Sequence, residues 1–221
     1  VTGKPKASSA QGASFWDERF SGEGYAYGER PCRLLLGWSD LLPDEGEAFV
    51  PACGEGRDAV FLARAGLDVL AVDQSAAGLA KGKALAKASG VEVTWQQADL
   101  ATWAWPKERF DVIASSYFHV PEGARRKIHR ALYAALRPGG LLFIEGFSRE
   151  QIEFQTEFNS GGPTDVGMLF DAEDLFDDFE DAEPVTSEMG TDYLNDGPFH
   201  QGPAAVLRMI FRKPDMDDEE G

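Results

Sequence analysis

The stretch FVPACGEGRDAVFLARAG, residues 49–66, decides how this chain reads. An apolar run ends at Pro51, turns through Gly54-x-Gly56-x-x-Ala59 and continues with helical spacing. Glycines at these places let the backbone turn sharply and approach a nucleotide closely. The helix that follows offers unpaired N–H groups at its start. Such a turn suits a dinucleotide pyrophosphate as well as the amino-acid end of S-adenosylmethionine (AdoMet). By itself it leaves both open.

On either side of the turn, strand-like and helix-like runs alternate. EAFVPAC (47–53) reads as a buried strand, and residues 57–65 as a helix stopped by Gly66. DVLAVD (68–73) is a second buried strand, with Ser75 as N-cap of a helix running to Gly90. VEVTW (91–95) alternates, with Val91, Val93 and Trp95 on one face, as a third strand would. FDVIASSYF is the fourth. A helix follows from about Glu122, with Ile128, Leu132, Ala135 and Leu136 inward and Arg125, Arg126, Lys127, His129 and Arg130 outward. RPGG breaks it before a fifth strand, LLFIEGF. This rhythm predicts a parallel sheet with right-handed crossovers.

After Ser148 the rhythm changes. REQIEFQTEFNSGGPTDVGMLF has little periodicity and reads as a functional loop around Gly161, Gly162 and Pro163. DAEDLFDDF opens with a capping-box-like Asp171/Asp174 pair. Runs around AEPVTSEM and AAVLRMIFRK close the sheet in antiparallel fashion.

Length and charge bound the rest. A chain of 221 residues fits one α/β domain. Its formal net charge of −17 would repel phosphates over most of the surface, which argues against nucleic acid as the main partner. Two cysteines and three histidines without zinc-like spacing predict neither a disulfide framework nor a metal site. The polar start lacks a signal-peptide core, and no run reaches the roughly 18 apolar residues of a membrane span. A cytoplasmic location is the expectation. Residues 1–13 read as disordered, 14–213 as a single domain and 214–221 as an acidic tail. Residues 15–42, where aromatics interleave with glycine ahead of the first strand, read as a lid or, equally, as a cap on the core.

Later features separate the two ligands. QADL puts Asp99 just past the third strand, LRPGG precedes the fifth, and a strand pair closes the chain. With the glycine turn these resemble a class I AdoMet-dependent methyltransferase over residues 15–213. GEGRDAVFLARAG, AVDQSAAGLAKGKALA and GPFHQGPAAVLRMIFRK look most like the bacterial tellurite-resistance-type small-molecule methyltransferases. The resemblance implies a Rossmann-like α/β fold: a mostly parallel seven-stranded sheet, an antiparallel last strand and helices on both faces. It also implies AdoMet as cofactor and a small-molecule methyl acceptor.

Carried onto this sequence, the resemblance makes Ala52, Cys53, Gly54, Glu55, Gly56 and Arg57 the AdoMet loop. Asp73 would hold the ribose, and Gln74, Asp99 and Leu100 the adenine. Ser115, Ser116, Tyr117 and Phe118 would lie beneath the methionine sulfur, and Tyr27 in the closing segment with Trp16. Trp16, Phe118, His119, Glu145 and His200 are the acceptor-side candidates. Two of the named residues are catalytic candidates. Arg57 could attract an anionic acceptor or pair with Glu55 or Asp58. His119 could take a proton or simply bond the nearby backbone. Pro51 and Ala52 stand where the family carries an acid and a first glycine, and Pro-x-Cys-Gly resembles the turn of thiopurine and thiol methyltransferases. An S-methyltransferase and a catalytically silent AdoMet-binding module are the alternatives.

Overall fold

The computed structural model describes residues 12–215. The expected disordered start and acidic tail fall largely on residues 1–11 and 216–221, outside the described residues. In chain order the elements are α1 (Ala13–Phe20), α2 (Arg33–Gly37), β1 (Glu47–Pro51), α3 (Arg57–Arg64), β2 (Asp68–Asp73), α4 (Ala76–Ser89), β3 (Thr94–Gln97) and β4 (Phe110–Ser116). Then come α5 (Glu122–Ala135), β5 (Leu136–Phe147), α6 (Gln151–Phe158), α7 (Ala172–Asp178), β6 (Glu183–Asn195) and β7 (Gln201–Arg212). The strands form one sheet in the order β3-β2-β1-β4-β5-β7-β6. β1 to β5 pair in parallel, and β7 runs antiparallel to both its neighbours. The Rossmann-like expectation holds.

Both faces of the central strands are covered, which is why they read as continuous apolar runs rather than alternating ones. Phe49, Ile113 and Leu142 pack with Ile128, Leu132, Leu175 and Phe179 of α5 and its neighbours. Ala48, Val50, Val112 and Phe143 pack on the opposite face with Leu34, Leu35, Ala59 and Leu62. Helix α4 begins where expected, with Ser75 Oγ accepting the Gly78 N–H at 3.0 Å. It ends at Gly90, left-handed at φ 69°.

Four local expectations need correcting. The third strand is shorter and later than VEVTW, because β2 reaches its edge partner only from Leu70↔Thr94 to Asp73↔Gln97. RPGG lies inside β5 as a bulge, where the pairing jumps from Phe110↔Leu136 to Val112↔Leu141. The supposed irregular loop contains α6. Its one buried residue is Gln151, whose amide donates to Ser160 Oγ and Gly161 O at 2.9 Å and accepts from Ala205 N at 2.8 Å. A polar amide anchors this helix, so it shows no apolar stripe. His129 is buried, because α7 covers its face of α5 and Asp178 Oδ2 meets its Nδ1 at 2.8 Å.

Candidate active site

In this strand order the chain reverses direction between β1 and β4, and ligands of open α/β sheets bind in the crevice outside such strand ends. The backbone is strained at both of them. Ala52, just past β1, has φ 47°, and Tyr117, just past β4, has φ 52°. Non-glycine residues enter the left-handed region rarely and at a cost, most often at functional sites.

Between these points runs the glycine turn. Gly54 and Gly56 have φ 52° and 84°. A Cβ on Gly56 would stand 2.5 Å from the Trp95 ring, so a side chain is excluded sterically as well as conformationally. Gly56 leads directly into α3, and no side chain caps that helix start among the described residues. Gly56 thus has no side chain to spend on the first N–H groups of the helix.

Asp73 staples the turn. Its Oδ2 accepts the Gly54 N–H at 2.7 Å and its Oδ1 the Ser75 N–H at 2.8 Å. The carboxyl is buried, and that burial raises its pKa against the pull of those donors. The Gln74 N–H also bonds this carboxyl, and the two oxygens together keep acceptor capacity for a further donor. Asp99 accepts the Ala101 N–H at 2.9 Å at the exposed end of the same crevice, with Leu100 buried beside it. Gln97 donates to the Gln74 carbonyl at 3.0 Å, linking the two. Cys53 is a packed residue, its thiol pushed up by burial and by the Asp73 carboxylate.

The segment from α1 to Tyr27 lies over this turn. Phe20 is buried, and its ring would be 3.2 Å from a Cβ on Gly54 and 2.9 Å from one on Gly78. Trp16 stacks on Phe20 at 5.6 Å. Asp17 accepts from Ser75 Oγ at 2.6 Å and Ala77 N at 3.0 Å, adding a second carboxylate at the start of α4. Glu55 Oε2 accepts the Ala26 N–H at 2.7 Å.

Arg57 pairs with neither Glu55 nor Asp58. It donates to the Tyr27 carbonyl at 2.8 Å, lies 4.0 Å from Asp196 and stands 5.8 Å from the Tyr117 ring centre. Asp58 is committed to the Cys32 N–H at 2.7 Å and to the Ser116 hydroxyl. Glu145 is equally engaged, accepting from Leu34 N at 2.7 Å and Tyr117 Oη at 3.1 Å, with Arg208 Nε 3.3 Å away. Ser115 is buried in β4, and Phe118 packs against the main core.

The two histidine candidates part company. Phe147 N–H donates to His119 Nε2 at 3.1 Å, which leaves Nδ1 as the donor to the Met168 carbonyl at 2.8 Å. Desolvation lowers its pKa to about 4. A base needs a free ring nitrogen, and here both are spent on backbone groups. This geometry is that of the second of its two readings, a bond to the nearby backbone. His200, from the β6–β7 turn, sits 4.5 Å from the ring centres of both Tyr27 and Tyr117 and 5.2 Å from Phe147. It is buried, and its Nδ1 has no hydrogen-bond partner among the described residues. Burial first, then Arg57, holds its pKa well below the usual value, so the ring is neutral.

The sequence reading gave no role to Asp17, Arg19, Lys81 and Asp196, which fasten the closing segment. Lys81 falls inside the run 71–86, yet nothing in that run marks it for this contact. Only their spatial convergence identifies them.

Residues 51–140 match the family described as Methyltransferase domain. The match spans less than half of the chain. A thiopurine S-methyltransferase of Shewanella piezotolerans is 40% identical over 63 residues, 27% of this chain and 28% of that protein. A glycine/sarcosine N-methyltransferase of Halorhodospira halochloris is 30% identical over 132 residues, 50% of this chain and 48% of that protein. The chain thus spans about half or less of the length of these curated relatives. Among solved structures, one concerned with converting a disulfide bond into a thioacetal group during echinomycin biosynthesis superimposes with TM-score 0.70 at 23% identity, covering 91% of this chain and 89% of that one. TehB from Haemophilus influenzae gives TM-score 0.64 at 15% identity, covering 91% and 66%. These likenesses establish the class I methyltransferase fold. The methyltransferase-domain match holds the glycine turn, Asp73, Asp99 and Tyr117. The closing segment, Glu145 and His200 lie outside it.

No metal-holding group of three or more His, Cys, Asp or Glu exists among the described residues. No helix among them is long and apolar enough to cross a membrane.

Proposed function

We propose that the chain is an AdoMet-dependent methyltransferase acting on a small-molecule acceptor. The observation that carries this reading is the crevice at the β1/β4 reversal: a glycine turn stapled by Asp73 faces the strained Tyr117. The site suits the cofactor's chemistry. Glycines keep the cradle open, buried Asp73 has spare acceptor capacity, and the aromatic rings of Trp16, Tyr27 and Tyr117 favour a cation. AdoMet supplies a methyl group on a sulfonium sulfur, already activated for in-line displacement.

The protein's task is then to bind, align and exclude water. Asp73 would accept ribose hydroxyls, and Gln74, Asp99 and Leu100 would hold the adenine. Ala52, Cys53, Gly54, Glu55, Gly56 and the α3 start would cradle the amino-acid end, above Ser115, Ser116 and Tyr117. The α1–Tyr27 segment serves as the lid. On the acceptor side, His200 offers the nitrogen that His119 lacks, and Arg57 and Glu145 shape the wall through Tyr27 and Tyr117. A thiol acceptor is the second reading, favoured by the relative described as a thiopurine S-methyltransferase. The acidic composition argues against nucleic acid as a partner, and the two free cysteines suit a cytoplasmic location.

Calorimetry with AdoMet, S-adenosylhomocysteine and NAD tests the cofactor, and a methyl-transfer screen over small anions, thiols, phenols and amines tests the reaction. AdoMet should bind and NAD should not. Tighter NAD than AdoMet binding would overturn the assignment, and AdoMet binding with no turnover on any acceptor would leave a binding module.

A further inference from the structure

Lys81 lies on α4, outside the glycine turn and every strand end. Its ammonium has three N–H donors, and three acceptors converge on it: the Gly22 carbonyl at 2.7 Å, the Gly24 carbonyl, and Glu55 Oε1 at 2.9 Å. The two carbonyls belong to the turn after α1. Glu55 belongs to the glycine turn, and its other oxygen holds the Ala26 N–H at 2.7 Å. One ammonium therefore joins α4, the closing segment and the cradle.

The pair differs from an ordinary surface ion pair. The Glu55 side chain is 4% exposed and Lys81 24%, so the carboxylate is desolvated and depends on its partner. The turn is shaped for this contact: residues 21–24 are exposed, and Gly24 takes φ 69°. Helix α4 has its own N-cap in Ser75 and its own left-handed stop at Gly90, so Lys81 is not needed to end it.

We infer that Lys81 is a positioning residue, the latch that holds residues 13–28 over the glycine turn and so sets how fast cofactor exchanges. This rests on the reading of that turn as the cofactor loop. Lys81 touches no reacting atom; it acts through Glu55 and the closing segment. Removing it strips two carbonyls and a buried carboxylate of their shared donor, while the sheet and its core are untouched.

The test compares the full chain with Lys81→Met and Lys81→Arg. Amide hydrogen exchange is read across the whole protein, and release of S-adenosylhomocysteine is followed by displacement in a stopped-flow instrument. In Lys81→Met, exchange at residues 13–28 and product release should both rise about ten- to a hundredfold, as expected on losing hydrogen bonds to a charged group. The β1–β5 core should keep its protection, and Lys81→Arg should recover most of the effect. Unchanged exchange at 13–28 in Lys81→Met overturns the latch. So does an equal rise across the sheet, which would make Lys81 a general stabiliser. If S-adenosylhomocysteine fails to bind the unaltered protein, the cofactor reading falls, and the exchange measurement still decides the latch.

Discussion

The Asp73 carboxylate holds the Gly54 N–H at 2.7 Å, so the end of β2 fixes the conformation of the turn after β1. The residue proposed to accept ribose hydroxyls is thus also the staple of the turn, and on that proposal binding and local order share one side chain.

Replacing Asp73 with Ala should therefore act twice. Cofactor affinity should fall about ten- to a hundredfold, as for lost hydrogen bonds to a charged group. The melting temperature should fall too, because the Gly54 and Ser75 N–H groups lose their acceptor. Titration calorimetry beside a thermal melt measures both, and unchanged affinity in a folded variant would refute the ribose assignment.

Gly56→Ala tests the cradle sterically. The new Cβ would meet the Trp95 ring at 2.5 Å and force a side chain into φ 84°. The left-handed strain and the overpacking together should cost about 2–4 kcal/mol. Urea unfolding reads this directly; a loss under 0.5 kcal/mol or so would show that Trp95 and the turn yield freely.

His119 predicts a pH dependence of stability rather than of catalysis. Desolvation depresses its folded-state pKa to about 4 from 6.5, so the unfolded chain binds the proton more readily. The contribution of the neutral ring is complete above pH 6.5 and is lost as the pH falls toward 4, by about 3 kcal/mol in all. His119→Asn, which keeps a donor and an acceptor, should flatten that stretch of the stability curve while sparing methyl transfer. Stability of the two proteins that declines in parallel from pH 7 to 5 would count against it.

His200→Ala should lower kcat/KM for the acceptor by about a hundredfold if its nitrogen takes a proton in the reaction. Cofactor affinity should stay within about twofold, since Asp73 and the glycine turn remain. Equal losses in cofactor binding and turnover would instead make His200 a support for Tyr27 in the lid.

The sequence by itself determined the sheet. Pro51, Gly54, Gly56, Gly66, Ser75, Asp73 and Gly90 punctuate strand and helix through conformations that neighbours a few residues away enforce, so the βα rhythm and the cradle could be read in line. What only the tertiary structure decided depends on groups distant in the chain. His129 looked exposed until α7 brought Asp178 against it. His119 looked free until Phe147 and Met168 took both its nitrogens, and Arg57 turned from its helical neighbours to Tyr27. Lys81 had no assigned role until Gly22, Gly24 and Glu55 met around it. A local pattern fixes backbone geometry because the forces are local; the partner of a charge or a ring nitrogen is set by which segments fold against each other.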